Sequence, residues 1–507
     1  MSVVTKQGTS LTKGASLIVF AKTLAFAFSF VLPLLLVRRL SQSDFGIYKQ
    51  IFLIAGTGMA LFSLGFGSSA FYFLPREKEQ QPSIIFNILL FNLLMGFAAF
   101  ALLLSYPGIL VKVFNSSELL PYAPSIGLII LLWVFSFFLE IAAVAHQELR
   151  LATIFIILAQ FTKTILLLGA ALIFGSVRAL VVASVVQAVL QTLILFLYLR
   201  SRFPGFWRSF SWKVMRLQLA YALPLGLYGL LWTAQVDLHN YFVSHYFGAA
   251  AFAIYAVGCF DLPLVSILGE SVGSVMLPRV SFMEKQGERR EIILVTIRAM
   301  RKLAVIYFPL YAFMMLIGRE FIQVLFTSRY LQSWPIFAIN LTLIPFNILT
   351  LDPITRAFAK QRYFLVKVRI ATVFMLIGLL WFSTTRIGLA GAIAVVVATN
   401  LIERVIIAWR FGHILGTKWQ DFHLLKDVGK VAAATLVATA GALILRIALS
   451  GARPLVVIVS CGVVFSLVYV GGIYALNVAE DEEYETLRRQ MGRVRQLMPW
   501  AKEGEIT

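Results

Sequence analysis

Long apolar segments recur along the chain, and they constrain its fold more than any other sequence feature. Of the 507 residues, 60% are hydrophobic and 13% are charged, whereas soluble globular proteins average about 45–50% apolar and about 25% charged residues. A helix needs about 20 residues to cross the hydrocarbon core of a bilayer. We therefore predict an all-α polytopic membrane protein with about fourteen transmembrane helices. The predicted spans are residues 14–37, 46–73, 83–106, 122–143, 152–174, 178–199, 214–237, 249–276, 297–317, 333–354, 365–383, 387–409, 430–448 and 455–476.

The chain is strongly basic, with a formal net charge of +20. If the N-terminus is cytoplasmic, most Lys and Arg residues fall in cytoplasmic connections, including clusters around 200–216, 279–302 and 356–369. The positive-inside rule therefore predicts that both termini are cytoplasmic. The topology accounts for the charge, and no separate basic patch with interleaved aromatic residues indicates a nucleic-acid partner. The first apolar segment is too long for a signal peptide, so we predict that it is a membrane helix.

An internal repeat relates two parts of the chain that lie about 205 residues apart. Asp44–Tyr48 (DFGIY) is followed one helix later by Leu74–Arg76 (LPR), and Ala251–Tyr255 (AFAIY) is followed by Leu277–Arg279 (LPR). Parallel repeats with a site at their interface are typical of transporters. We therefore predict an N-lobe at 1–205, a C-lobe at 206–425 and two added helices at 426–478. The remaining residues, 479–507, have the periodicity of an amphipathic cytoplasmic helix, with a solvated tail as the alternative.

These motifs resemble the polysaccharide transporter (Wzx-type flippase) family of the multidrug/oligosaccharidyl-lipid/polysaccharide exporter superfamily. The resemblance is carried by Arg39–Tyr48 (RLSQSDFGIY), by Asp237, by Ile254-Tyr255 and by the second LPR motif. It implies a two-lobed, V-shaped, MATE-like fold in the bacterial inner (cytoplasmic) membrane. It also implies translocation of undecaprenyl-diphosphate-linked oligosaccharide, a precursor of O-antigen, capsule or exopolysaccharide, from the cytoplasmic to the outer leaflet. Two positions depart from the family pattern: Leu238-His239 follows Asp237, and Ala253 replaces a glycine.

Three lysines lie inside predicted spans, where each charge costs roughly 2.5–3.5 kcal/mol at the bilayer centre. They are Lys22, Lys163 and, nearer a helix end, Lys49. We expect them to contact the pyrophosphate of a lipid-linked substrate, because a cation offsets the cost of bringing phosphate into a low-dielectric cavity. Gln160 shares a helical face with Lys163, and Gln187 lies on the next span. The alternative is a structural Lys–Asp or Lys–Glu pair between the lobes.

Acidic residues dominate the predicted spans of the second lobe. Asp237, Asp261 and Glu270 are candidates for coupling transport to H⁺ or Na⁺. Asp261 and Glu270 are about 180° apart on an ideal helix, so both face one cavity only if Pro263 breaks the helical register. Glu403 and Arg404 are adjacent but point about 100° apart, so we do not expect them to pair.

An aromatic stripe on the seventh span includes Tyr228 and Trp232, together with Tyr221, Gln235 and His239. Such a face can stack on sugar rings, which makes these residues candidates for glycan contact. Ordinary helix packing is the alternative interpretation.

The sequence gives no indication of an enzyme, a cofactor or a metal site. The predicted outer connections are short, no Gly-rich phosphate loop precedes a Lys-Ser/Thr pair, and the five histidines are scattered. We expect lipid-linked oligosaccharide, membrane lipids and glycan polymerase or assembly proteins as partners. The alternatives are a lipid II flippase, a multidrug or cation antiporter of the same superfamily, and a non-transport scaffold of a glycan-assembly complex.

Overall fold

A computed structural model describes residues 2–478, and within this range the chain is helical without any strand. Short 3₁₀ turns connect several of the helices. The predicted amphipathic tail at 479–507 lies outside the described residues. The helices of the first part are α1 (Ser2–Arg39), α2 (Gln42–Ser63), α3 (Ala70–Phe73), α4 (Gln81–Ser105), α5 (Gly108–Phe114), α6 (Ala123–Ser136), α7 (Phe138–Ala145), α8 (Leu149–Ile173) and α9 (Val177–Arg202). Those of the second part are α10 (Trp212–Gly258), α11 (Pro263–Gln286), α12 (Arg289–Phe326), α13 (Trp334–Leu341), α14 (Leu343–Phe346), α15 (Leu351–Ala357), α16 (Arg362–Arg386), α17 (Leu389–Leu415), α18 (Lys426–Ala448) and α19 (Pro454–Ala475).

Twelve helices in the described part of the chain are long and apolar enough to cross a membrane. The prediction of an all-α polytopic membrane protein is confirmed. Two of the fourteen predicted spans, 249–276 and 333–354, have no helix of their own among the twelve, and the helical structure is interrupted in both. The first breaks at 259–262, before Pro263 starts α11, and the second divides into α13, α14 and α15. Pro345 and Pro353 each lie in the first turn of a new helix, where the missing N–H is tolerated.

The described residues divide into two compact units, and the first comprises residues 1–263, 325–340 and 360–403. Within it, α2 packs closely along α10. A Cβ atom on Gly46 would lie 1.9 Å from the carbonyl oxygen of Ala249, and one on Gly226 would lie 1.9 Å from that of Leu64. Any side chain at these two glycines would therefore collide with the backbone of the other helix. The α10 helix itself is interrupted at Gly248, which has φ 76° and ψ −179°.

The RLSQSDFGIY segment builds the start of α2. The backbone N–H of Asp44 donates to the Ser41 hydroxyl at 3.1 Å, and that hydroxyl donates to the Asp44 carboxylate at 2.7 Å. Ser41 thus caps the helix, because its side chain satisfies a backbone donor that has no partner inside the helix. Phe45 and Tyr48 are buried in the next turn. The most recognisable sequence motif is therefore a helix start, held by local hydrogen bonds and a buried aromatic pair.

The second unit comprises residues 264–324, 341–359 and 404 to the end of the described residues. Its buried core joins α12, α18 and α19, and the Tyr469 hydroxyl donates to the Val305 carbonyl at 2.7 Å. A cavity of about 320 Å³ is lined mainly by apolar residues of α12 and α19, including Pro309, Phe313 and Phe465. None of the described residues that line this cavity is charged, so they offer nothing to neutralise a phosphate. The predicted boundaries of the two lobes remain a prediction from the repeat.

Candidate functional site

Two half-buried lysines of the first unit lie among aromatic rings. The Lys163 ammonium on α8 is 5.2 Å from the ring centre of Trp133 and 5.5 Å from that of Phe52. The Lys49 ammonium on α2 is 5.7 Å from the ring centre of Phe45. The two ammonium groups are near enough to repel each other electrostatically. Among the described residues, no carboxylate forms an ion pair with either lysine.

This arrangement leaves positive charge without a counter-ion. Aromatic faces attract a cation through the ring quadrupole, by about 0.5–2 kcal/mol, but they do not cancel its charge. Buried charges in proteins are ordinarily paired with an opposite charge or bound to a ligand. Lys49 and Lys163 are therefore the groups in the first unit best suited to receive an anion.

Lys22, the third predicted lysine, is already paired. Its ammonium lies 3.2 Å from the Glu140 carboxylate, and the two side chains are 60% and 36% exposed. Both residues belong to the predicted N-lobe, so this is not the pair between lobes that the sequence left open. An ion pair this exposed contributes about 0–1 kcal/mol. Glu140 therefore offsets the charge of Lys22 without fixing the side chain.

The predicted polar companions of the lysines differ in their surroundings. Gln160 is half-buried one helical turn before Lys163 and donates to the Thr164 hydroxyl at 3.4 Å. Gln187 is buried on α9 and makes no hydrogen bond to either lysine among the described side chains. Gln160 therefore shares the environment of Lys163, whereas no contact connects Gln187 to it.

The three predicted coupling carboxylates do not form a cluster. Asp237 accepts a hydrogen bond from the Thr57 hydroxyl at 3.1 Å, which connects α10 to α2. Asp261 is exposed in the non-helical segment before Pro263, so the helical register does break there, as considered from the sequence. Glu270 is exposed on α11, in the second unit. No group of three potential metal ligands occurs among the described residues.

A buried polar network that the sequence analysis missed joins α10, α16 and α17. The Arg369 guanidinium lies 2.9 Å from the Glu403 carboxylate, and it donates to the Gln235 side-chain oxygen at 2.6 Å. The Gln235 amide in turn donates to Glu403. The side chains of Arg369 and Glu403 are only 11% and 8% exposed. This network is neutral overall, because one carboxylate balances one guanidinium.

The sequence contained one usable signal for this network. Glu403 has no basic residue one helical turn away on its own helix, so a buried Glu403 requires a cation from another element. Arg404 is not that cation. It donates to the Asn347 side-chain oxygen at 2.6 Å, which agrees with the predicted divergence of Glu403 and Arg404.

The predicted glycan-contact residues are exposed on α10. Tyr228 and Trp232 are 43% and 55% exposed. The Arg369 guanidinium lies 4.7 Å from the ring centre of Trp232, so one face of this ring already carries a cation. The structure does not test their contact with a glycan, which remains a prediction.

The architecture is similar to that of several solved transporters. A lipid II flippase, MurJ, in an inward closed conformation aligns with a TM-score of 0.70 at 14% identity, over 89% of this chain and 98% of that chain. An inward-facing multidrug resistance MATE family transporter of the MOP superfamily aligns with a TM-score of 0.63 at 15% identity, over 77% and 94%. A MOP superfamily transporter from Pyrococcus furiosus aligns with a TM-score of 0.58 at 14% identity, over 80% and 96%. At these identities the similarity shows the fold.

Sequence comparison gives the family. A search of curated proteins finds no match. The profile of the family described as "Polysaccharide biosynthesis protein" matches residues 35–335, which is more than half of the chain. This match includes α2 and the whole of α10, and the MATE-like, MurJ-like helical fold agrees with it. The chain therefore belongs to the polysaccharide biosynthesis protein family and is a multi-pass membrane protein.

Proposed function

We propose that this protein is a flippase for undecaprenyl-diphosphate-linked oligosaccharide, a repeat unit of O-antigen, capsule or exopolysaccharide. It would move this substrate by alternating access from the cytoplasmic to the periplasmic leaflet of the inner membrane. The observation that carries the proposal is the pair of half-buried lysines, Lys49 and Lys163, which lack a carboxylate partner among the described residues.

A diphosphate matches the charge of this site. A diphosphate loses its stabilising hydration shell when it enters a low-dielectric environment. The positive charge of two ammonium groups can compensate for this loss. Bound phosphate would also remove the repulsion between Lys49 and Lys163. Gln160 lies on the same face as Lys163 and can donate an amide hydrogen to a phosphate oxygen. Lys22 joins them in this proposal as an exchangeable contact, because its pair with Glu140 is exposed and weak.

The proposed direction of transport, from the cytoplasmic to the outer leaflet, is the one that the family resemblance implies, and the proposed topology is compatible with it. The positive-inside rule places both termini and the basic connections in the cytoplasm. The proposal extends to coupling with H⁺ or Na⁺ at Asp237, Asp261 or Glu270, since each lies in or next to a predicted span. A cationic site disfavours export of organic cations. Lipid II carries the same diphosphate as the proposed substrate and remains the alternative substrate.

Export in cells tests the proposal. The gene is deleted, and the deletion strain is complemented with the wild-type protein or with the variant Lys49→Gln or Lys163→Gln. The lipid-linked glycan on each leaflet is then quantified. We expect each variant to reduce export about tenfold or more, because a hydrogen bond to a charged group contributes about 1.5–3 kcal/mol. Lys112→Gln is the matched control, since Lys112 is an exposed lysine on α5 beside Tyr106.

Two outcomes would contradict the proposal. One is unchanged export by both site variants, and the other is an equal loss in the Lys112→Gln control. The glycan that accumulates on the cytoplasmic leaflet after deletion identifies the substrate. Accumulation of lipid II alone would replace the oligosaccharide in the proposal by lipid II.

A further inference from the structure

An arginine in the turn after α3 stacks on a tyrosine and has no carboxylate partner among the described residues. The Arg76 guanidinium lies 3.7 Å from the ring centre of Tyr72, and the Tyr72 ring lies 4.8 Å from that of Tyr221 at an interplanar angle of 30°. Phe73 packs edge-on against Tyr221 at 5.9 Å. The stack connects α3 to α10 within the first unit. Arg76, Tyr72 and Tyr221 are all exposed at its surface.

The stack orients the guanidinium without using its hydrogen-bond donors. A ring beneath the guanidinium plane contacts its face, whereas the five N–H groups point outward within the plane. Among the described residues, the Arg76 side chain has neither an ion pair nor a hydrogen bond, although Glu77 follows it directly in the chain. A guanidinium fixed in this way presents a fork that matches the two oxygens of a carboxylate.

The second copy of the LPR motif lacks this arrangement. The residue four positions before Arg76 is Tyr72, whereas the residue four positions before Arg279 is Val275. Arg279 lies within α11, where residues four apart share a helical face, so its neighbour at the position that corresponds to Tyr72 is not aromatic. The tyrosine support is therefore a property of one copy of the repeat and does not come from the motif itself.

The neighbouring surface favours a sugar. Tyr221 starts the exposed aromatic face of α10, which continues to Tyr228 and Trp232. The Arg369 guanidinium stacks on Trp232, but Glu403 neutralises its charge. Unlike Arg369, Arg76 is thus available to an anion. Since Lys49 and Lys163 are assigned to the diphosphate, a further anionic group would belong to the glycan.

We propose that Arg76, supported by Tyr72 and Tyr221, binds the carboxylate of an acidic sugar in the lipid-linked oligosaccharide. This inference rests on the proposed function and adds a substrate property to it: the glycan carries a uronate-type residue. In the proposed topology, the site lies at the cytoplasmic end of α3 and α10, where a substrate enters. It would select acidic over neutral glycans before the diphosphate reaches the lysines.

Binding of two soluble probes to the full-length purified protein tests the inference. The probes are a glucuronate-containing trisaccharide and the same trisaccharide with its carboxylate methyl-esterified. We expect Arg76→Gln to weaken binding of the acidic probe about tenfold, the loss of a charge-assisted bidentate contact, and to leave the ester unchanged. Arg76→Lys keeps the charge but loses the fork, so its affinity should be intermediate.

Arg216→Gln is the matched control. Arg216 is also an exposed arginine stacked on an aromatic residue near the same end of α10, with its guanidinium 5.4 Å from the ring centre of Trp212. We expect this variant to bind both probes like the wild type. An equal loss in Arg216→Gln would show that the general positive surface, or bound lipid phosphate, determines binding, and it would overturn the inference.

The remaining outcomes separate this inference from the proposed function. If Arg76→Gln weakens binding of the acidic probe and of its ester equally, or weakens binding of neither, the proposal of an acidic-sugar site is wrong. Such a result leaves the flippase proposal intact provided that Lys163→Gln still blocks export. If Arg76→Gln weakens binding of the acidic probe only, while Lys163→Gln exports normally, the acidic-sugar site is supported. The assignment of the lysines to the diphosphate is then wrong.

Discussion

Two charged regions of the first unit differ in whether their charges are neutralised. Lys49 and Lys163 are half-buried like charges, supported by rings and without a carboxylate among the described residues. Arg369 and Glu403 are opposite charges, almost fully buried and hydrogen-bonded through Gln235. The difference indicates separate roles. The neutral Arg369–Glu403 network holds helices together, whereas the uncompensated charge of Lys49 and Lys163 can bind an anionic ligand.

The energetics of the two regions should therefore respond differently to substitution. Removing one partner of a buried ion pair leaves an uncompensated charge and costs about 3–5 kcal/mol. Removing one of two repelling lysines deletes an unfavourable term from the folded state. Stability is expected to depend on Arg369 and Glu403, and transport on Lys49 and Lys163.

The largest effect is expected from breaking the buried pair. Arg369→Met should lower the free energy of unfolding by about 3–5 kcal/mol, because Glu403 would stay buried without its cation. The double variant Arg369→Met with Glu403→Leu should recover most of this loss, since no unpaired charge remains. Denaturant titration of the detergent-solubilised protein measures both. A single variant as stable as the wild type would show that the network does not hold these helices.

The next largest effect concerns transport alone. Lys163→Gln should reduce export about tenfold or more while the unfolding free energy changes by less than about 2 kcal/mol, because the loss of the ring contacts is offset by relief of the repulsion with Lys49. Export assays and denaturant titration on the same preparation separate the two quantities. If Lys163→Gln destabilised the protein as strongly as Arg369→Met, the contrast between the two regions would fail.

A smaller effect is expected from the exposed pair Lys22–Glu140. Glu140→Gln should change the unfolding free energy by less than about 1 kcal/mol, since water and salt screen a pair this exposed. Export should persist, because the lysine remains available to a substrate. A loss of stability well above this value would place the pair with the buried network instead.

The smallest effect concerns Asp421, outside the membrane-spanning helices. Its pKa is lowered by the backbone N–H of Lys418 and by the Arg290 guanidinium. A carboxyl with a lowered folded-state pKa stabilises the protein above its unfolded pKa, and this contribution disappears as the pH falls through the folded value.

Thermal melting should reveal this contribution. The wild-type melting temperature should fall more than that of Asp421→Asn between about pH 5 and about pH 3. At neutral pH, the variant should melt slightly below the wild type. Identical pH profiles for the two proteins would show that the Asp421 contacts contribute no measurable stability.

The sequence predicted the architecture well because membrane helices are determined by local apolarity. Hydrophobic segments of sufficient length identify spans without knowledge of their neighbours. The two interrupted spans, 249–276 and 333–354, show the limit of this reasoning. Hydropathy reports no break where apolar residues continue through a non-helical turn, as they do at Cys259 and Phe260.

The candidate site was only partly predictable because side-chain partners come from distant parts of the chain. The sequence identified Lys49 and Lys163 as costly charges, but it did not show that Lys22 meets Glu140, 118 positions later. It also placed Arg369 among the cytoplasmic basic residues, whereas the structure buries it against Glu403. Residue type indicates which charges are expensive, while tertiary packing decides which of them are neutralised.

Affinity for undecaprenyl diphosphate tests most directly whether Lys49 and Lys163 bind the diphosphate. Binding of this lipid to the wild type and to the double variant Lys49→Gln with Lys163→Gln can be measured in the same nanodiscs. We predict that the double variant loses affinity at least about tenfold, because both charge-assisted contacts to the diphosphate are removed. Equal affinity of the two proteins would contradict it.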